Sequence, residues 1–176
     1  MANDVILRTP RITDTATFLA AVRRSRELHR PWVSPPRTAH ALRKYLARKQ
    51  DKTHLTFFLW SRGQDDLVGV VNVTEIVRGF FQSAYLGYYA FAPYAGKGFM
   101  REGLAQVVMH MFGKFKLHRL EANIQPGNKA SLALVRSLGF RREGFSPRYL
   151  KIAGCWRDHE RWAILADEWR ARALRG

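Results

Sequence analysis

Acidic residues are scarce in this sequence: 14 Asp and Glu stand against 30 Lys and Arg over 176 residues, for a formal net charge of +16. Such a surface repels cationic partners and draws polyanions, so RNA, ribosomes, acidic lipid or a phosphorylated cofactor such as coenzyme A fit its charge. Cysteine is nearly missing. Cys155 is the single one, so no internal disulfide forms, and it builds no metal constellation with six scattered histidines. That usage suits a reducing cytoplasm. Long apolar runs are absent as well, and none approaches the roughly 20 residues that cross a bilayer. Met1-Ala2-Asn3-Asp4-Val5 lacks the basic-then-apolar order of a secretory signal, which predicts a soluble, unexported protein. No low-complexity tract or fixed-period repeat occurs.

What remains is an ordinary globular composition, 47% hydrophobic and 25% charged, over a length that favours one core. The expectation is a single domain over residues 1–176. Val5 to Leu7 predicts a short strand, and Thr13-Asp14 offers caps for a helix from Thr15 to Arg26, where Phe18, Leu19 and Val22 recur at helical spacing. Pro31, Pro35 and Pro36 break it, and a second helix follows from about Thr38 to Gln50. His54 to Trp60 and Leu67 to Ile76 are β-rich runs around the turn Gly63-Gln64-Asp65-Asp66, which predicts a hairpin. Arg78-Gly79 turns the chain into a strand from Ala84 to Phe91, and Pro93 stops or splays its pairing because proline donates no ladder bond.

Leu104, Val107, Val108, Met111 and Phe112 mark an amphipathic helix from Met100 to Phe115. A strand from His118 to Ile124 comes next, then a helix capped by Asn128 and ended by Gly139. Phe140 to Leu150 and Cys155 to Ile164 form a last hairpin, and Asp167 to Gly176 is a basic tail or short helix. The order β-α-α-β-β-β-α-β-α-β-β is that of a mixed α+β sandwich.

The segment Ala95-Gly96-Lys97-Gly98-Phe99-Met100 carries the most chemical information. It lies between a strand and a helix. Glycines there let backbone N–H groups converge on an anion, and the helix N-terminus adds partial positive charge, which suits a pyrophosphate. Lys97 adds a point charge or is merely solvated. A Walker loop needs Lys-Ser/Thr after its last glycine, and Phe99 follows Gly98 here; a dinucleotide fingerprint needs a third glycine, and Arg101 stands in its place. Both nucleotide readings fail.

Instead the loop resembles the coenzyme A motif of the GNAT superfamily, Gln/Arg-x-x-Gly-x-Gly/Ala, with Ala95 at the first position, Gly98 at the glycine and Met100 at the small residue. Tyr85-Leu86-Gly87-Tyr88, His118-Arg119, Asn128-Lys129-x-Ser131, Leu138-Gly139-Phe140, Glu143-Gly144 and Trp156-Arg157-Asp158-His159 follow the order of the RimJ/RimL group in that superfamily. The N-terminal half is similar more loosely, through Leu7-Arg8-x-Pro10-Arg11 and Val77-Arg78-Gly79.

The resemblance implies a mostly antiparallel mixed sheet of about seven strands flanked by about four helices, with central strands that splay around acetyl-CoA. It implies backbone contacts from Ala90 and Ala92 to the pantetheine arm, and amides of Gly96, Lys97, Gly98, Phe99 and Met100 at the pyrophosphate. By the same resemblance Asn128 touches the cofactor and Ser131 serves as general acid at the sulfur; read by themselves, Asn128 is a helix cap and Ser131 a first-turn residue. Arg148 stands where RimL-type relatives carry a carboxylate, so no base carries over. Glu75 is a substitute, through a water, or a solvated surface glutamate. Asp158 and His159 on the last hairpin are expected to make structural hydrogen bonds. The implied reaction is acetyl transfer to a protein N-terminal α-amine, alanine of a small-subunit ribosomal protein, near rRNA in the cytoplasm. A small amine acceptor, antibiotic or polyamine, and a ribosome assembly factor with secondary catalysis are the alternatives.

Overall fold

The computed structural model describes residues 4–48 and 53–174. Its centre is a seven-stranded sheet of β1 (Val5–Arg8), β2 (Leu55–Ser61), β3 (Leu67–Val77), β4 (Ser83–Ala90), β5 (Arg119–Ile124), β6 (Arg141–Ile152) and β7 (Cys155–Leu165), in the order β1-β2-β3-β4-β5-β7-β6. Every neighbouring pair is antiparallel except β4 and β5, which run parallel because the chain crosses over between them through a helix.

Period-two patterning gives the sheet two apolar faces. On one, α1 (Thr15–Arg24), α2 (Arg26–His29) and α3 (Ala39–Arg48) bring Phe18, Val22 and Leu42 onto Phe58, Val70, Tyr89 and Phe91. The opposite face receives Leu104, Val108 and Met111 of α4 (Phe99–Gly113) and Leu132 and Val135 of α5 (Lys129–Ser137), which pack on Val71, Leu86, Leu120 and Ile124. This is the seven-stranded, mostly antiparallel mixed sheet that the resemblance implied.

Among the described residues there are six α-helices, beside a 3-10 turn at Ile12–Asp14, where about four helices were expected. The first predicted helix bends at Ser25 and leaves α2 as a single turn, because the Ser25 hydroxyl donates back to Ala21 O at 2.7 Å. The C-terminal segment folds as α6 (Ala166–Ala173), with the Leu165 N–H donating to Glu168 at 2.8 Å. The predicted reach of the second helix to Gln50, and residues 1–3 and 175–176, lie outside the described residues.

Asn128 caps α5 by accepting from the Ser131 N–H at 3.1 Å, and Gly139 takes the left-handed conformation (φ 88) that the end of α5 requires. The ion pairs among Arg119, Glu121, Glu143, Arg141 and Glu168 tie β5, β6 and α6 together.

Candidate active site

β4 and β5 share only three residue pairs, Ser83 with Arg119, Ala84 with Leu120 and Tyr85 with Glu121. From Leu86 onward β4 follows β3 as far as Gly69–Ala90, while β5 follows β7 to Ile124–Glu160. The two halves of the sheet therefore part in a V. Pro93 was expected to stop or splay the pairing of β4: it stops it, just beyond the last bond to β3 from Phe91 N–H to Val68 O at 2.8 Å, while the splay from β5 opens at Leu86. Two different neighbours pull the strands apart, and the proline only ends the ladder.

Because Phe91 faces β3, alternation turns the N–H and C=O groups of Leu86, Tyr88 and Ala90 toward the opening. Ala90 O already accepts from His29 Nε2 at 2.8 Å. Ala92 does not line the opening: its N–H donates to Ser25 Oγ at 2.9 Å and its carbonyl accepts from Arg24 Nε. The free edge thus lies at Leu86 to Ala90, upstream of Ala92.

A cavity of about 950 Å³ passes through the V and is lined from both faces of the sheet. On the α4–α5 side its wall includes Gly96, Gly98, Met100, Arg101, Asn128 and Ser131. Gly96 and Gly98 have φ of 76 and 89, and nothing would crowd a Cβ on either, so backbone conformation alone demands glycine there. Gly98 is the N-cap of α4 without a side-chain cap, which leaves first-turn N–H groups for an anion, and Arg101 adds a cation. Lys97 is exposed and outside the lining, and the Phe99 ring stacks edge-on against Tyr94 at 5.3 Å. Met100 fills the place of a small residue.

Ser131 Oγ and Tyr88 Oη are hydrogen-bonded at 2.8 Å. Burial pushes the Tyr88 hydroxyl well above the ordinary phenol range, so it stays protonated. The pair lies on the α5 face of the V. The sequence analysis singled out Ser131 and gave Tyr88 no role of its own; that Tyr88 is an even-numbered neighbour of Leu86 on β4 was the available signal.

On the α1–α3 side the wall comprises Asn72, Thr74, Tyr85, Tyr89 and Asn123 from the sheet, His29 and Trp32 from the α2 region, and Tyr149 and His159 from the last hairpin. Asn123 Oδ1 is buried with no partner among the described residues. Glu75 reaches the rim. It sits in the left-handed region (φ 49) of a bulge where the β3–β4 register slips, and its carboxylate lies 3.5 Å from His54 Nε2. Among the described lining residues it is the only carboxylate. His159 does make the structural bond expected of it, from Nδ1 to Arg157 O at 2.9 Å, but it is also a lining residue of the cavity. Arg101, read in the sequence only as a missing glycine, is the other lining residue that pattern reading passed over.

Among the described residues no cluster of His, Cys, Asp or Glu could hold a metal ion, and no helix is long and apolar enough to cross a membrane.

A splayed β4–β5 pair over a glycine-built helix N-terminus defines an acyl-CoA-binding acetyltransferase fold. Residues 4–141 match the acetyltransferase (GNAT) domain family, and the chain belongs to it. It is an acetyl-CoA-dependent N-acetyltransferase, and the uncapped α4 terminus, Arg101 and the open β4 edge fit that co-substrate. The [ribosomal protein uS5]-alanine N-acetyltransferase of Escherichia coli is 39% identical over 113 residues, which cover 64% of this chain and 58% of that protein. Mycobacterium smegmatis RimJ in complex with CoA-disulfide superposes with a TM-score of 0.85 at 28% identity, over 93% of this chain and 83% of that one. Spermidine N-acetyltransferase from Vibrio cholerae, in complex with CoA and spermine, shares the fold with a TM-score of 0.81 at 22% identity, over 96% and 99% of the two chains.

Proposed function

We propose that this enzyme acetylates a protein N-terminal α-amine, alanine of a small-subunit ribosomal protein, in the cytoplasm and close to rRNA. The supporting observation is the cavity that crosses the sheet: one end offers an anion cradle, and the other is an aromatic and amide-lined slot with Glu75 as its single carboxylate among the described residues. An extended peptide terminus with one positive charge matches such a slot. Its α-ammonium meets Glu75 at the rim, and the buried Asn123 Oδ1 offers an acceptor to a backbone N–H. The net charge of +16 favours residence near rRNA.

In this reading Gly96, Lys97, Gly98, Phe99 and Met100 hold the pyrophosphate through backbone amides, Ala90 borders the pantetheine path, and Asn128 orients Ser131. Ser131 delivers a proton to the departing sulfur and Tyr88 restores it. Glu75 gathers the cationic amine. A polyamine acceptor, with several positive charges, would call for more carboxylates than this wall carries.

Mass spectrometry of acetyl transfer from acetyl-CoA to peptides beginning with Ala, Ser or Met, with spermidine and an aminoglycoside alongside, tests the assignment. Transfer to the Ala peptide is expected. Transfer only to the small amines would overturn the substrate, and transfer to none would point to an assembly factor.

A further inference from the structure

Attack on the thioester needs proton handling on both sides of the V. The sulfur departs on the α5 face, where Ser131 and Tyr88 lie, and the amine arrives on the α1–α3 face. A base must therefore stand on that second face. We infer that His159 is the base that takes the proton from the acceptor amine; this rests on the peptide N-terminus reading above.

His159 is 3% exposed, yet it is a lining residue of the cavity. Nδ1 lies 2.9 Å from Arg157 O, a pure acceptor, so the ring proton resides on Nδ1 and the lone pair on Nε2. The edge of Tyr149 meets the imidazole at 6.3 Å between centroids and fixes its plane. Glu75 is a poorer base by geometry, since its carboxylate is 66% exposed at the rim and shared with His54. The other cavity histidine, His29, spends Nε2 on Ala90 O, and its ring is closed in by Tyr89 and Phe91.

The groups facing His159 are Tyr149 from β6, Asn123 from β5, and Arg157 and Arg161, which share its face of β7 by alternation; Asp158 is adjacent. Burial lowers the imidazole below its ordinary 6.5 and outweighs the Arg157 carbonyl and Asp158, which act the other way. It is neutral at pH 7. The proton balance closes: as the N–C bond forms, a neutral amine sheds one proton to Nε2. As the C–S bond breaks, the sulfur takes one from Ser131, and solvent relays the imidazolium proton back to the Ser131–Tyr88 pair.

The test compares wild type with His159→Gln by the acid limb of log(kcat/KM) against pH, using whichever panel amine is acetylated. An acceptor amine titrating at about 7.7–8.0 and a neutral His159 together give wild type a slope near two once the pH falls below the imidazole's own lowered midpoint. His159→Gln should show a slope near one and turnover reduced about 10²-fold at neutral pH, with CoA affinity by calorimetry unchanged. Nitrogen NMR of wild type without acetyl-CoA should show the neutral Nδ1–H tautomer, with a midpoint below 6.5. A variant with wild-type turnover, an unchanged slope, or a charged or Nε2–H imidazole at pH 7 would sink the role. Transfer to spermidine alone would overturn the peptide reading while the slopes still decide His159, and no transfer to any amine would overturn both.

Discussion

Met100 lies over Gly69, its Sδ 2.3 Å from where a Cβ on Gly69 would stand. The large residue at the end of the anion loop is thus accommodated by a missing side chain on β3. Gly69→Ala would also meet Tyr89 O at 2.9 Å, a backbone atom that cannot swing aside. The variant should lose about 1–3 kcal/mol of stability by overpacking and bind CoA more weakly, as the start of α4 shifts. Thermal melts and calorimetry check both, and Met100→Ala in the same chain should restore only part.

Much of this was legible in the sequence where one residue type answers one local demand. Gly98 before a helix, Asn128 at a cap and Gly139 after a helix each announce themselves, because backbone conformation allows few substitutes. The V was legible only through resemblance: Pro93 announced where the ladder to β3 stops, but not where β4 leaves β5, since splaying depends on which neighbours the two strands keep. Tyr88, Arg101 and His159 escaped for the same reason: their meaning lies in what faces them across the sheet. The bulge that turns Glu75 toward the rim has no local signature either, as a glutamate with positive φ is not what propensity suggests.

The Ser131–Tyr88 bond makes the two hydroxyls unequal. Ser131→Ala removes the hydroxyl proposed to protonate the departing sulfur and should lower kcat about 10²-fold. Tyr88→Phe leaves the serine in place without its proton source and should cost about tenfold. Because the pair shares one bond of 2.8 Å, the double variant should be scarcely worse than Ser131→Ala alone. Additive losses would show that the hydroxyls act separately.

Arg119 holds the Glu143 carboxyl below its ordinary 4.5, with Arg141 acting the same way, and burial opposes them only in part. A depressed folded value means stability that is present above the unfolded pKa and lost as pH falls through the folded one. Glu143→Gln should therefore lower the melting temperature at pH 7, and the gap from wild type should close as pH drops below 4.5. The pair is partly exposed, so the full effect stays within about 1 kcal/mol. A gap that persists in acid would mean packing, not charge.

Gly98 isolates the conformational demand of the anion cradle, because its φ is 89 and no atom lies within 4 Å of a Cβ placed there. Gly98→Ala meets no clash. Its whole penalty is the left-handed backbone, about 1–2 kcal/mol, which the loop can escape only by turning its amides away. CoA affinity should fall about five- to thirtyfold, while the melting temperature without ligand barely moves. Arg101→Gln separates the other contribution, since losing a cation from the same wall should weaken CoA chiefly at low salt and flatten the salt dependence. Were Gly98→Ala to bind CoA as wild type does, first-turn amides of α4 could not be what holds the pyrophosphate.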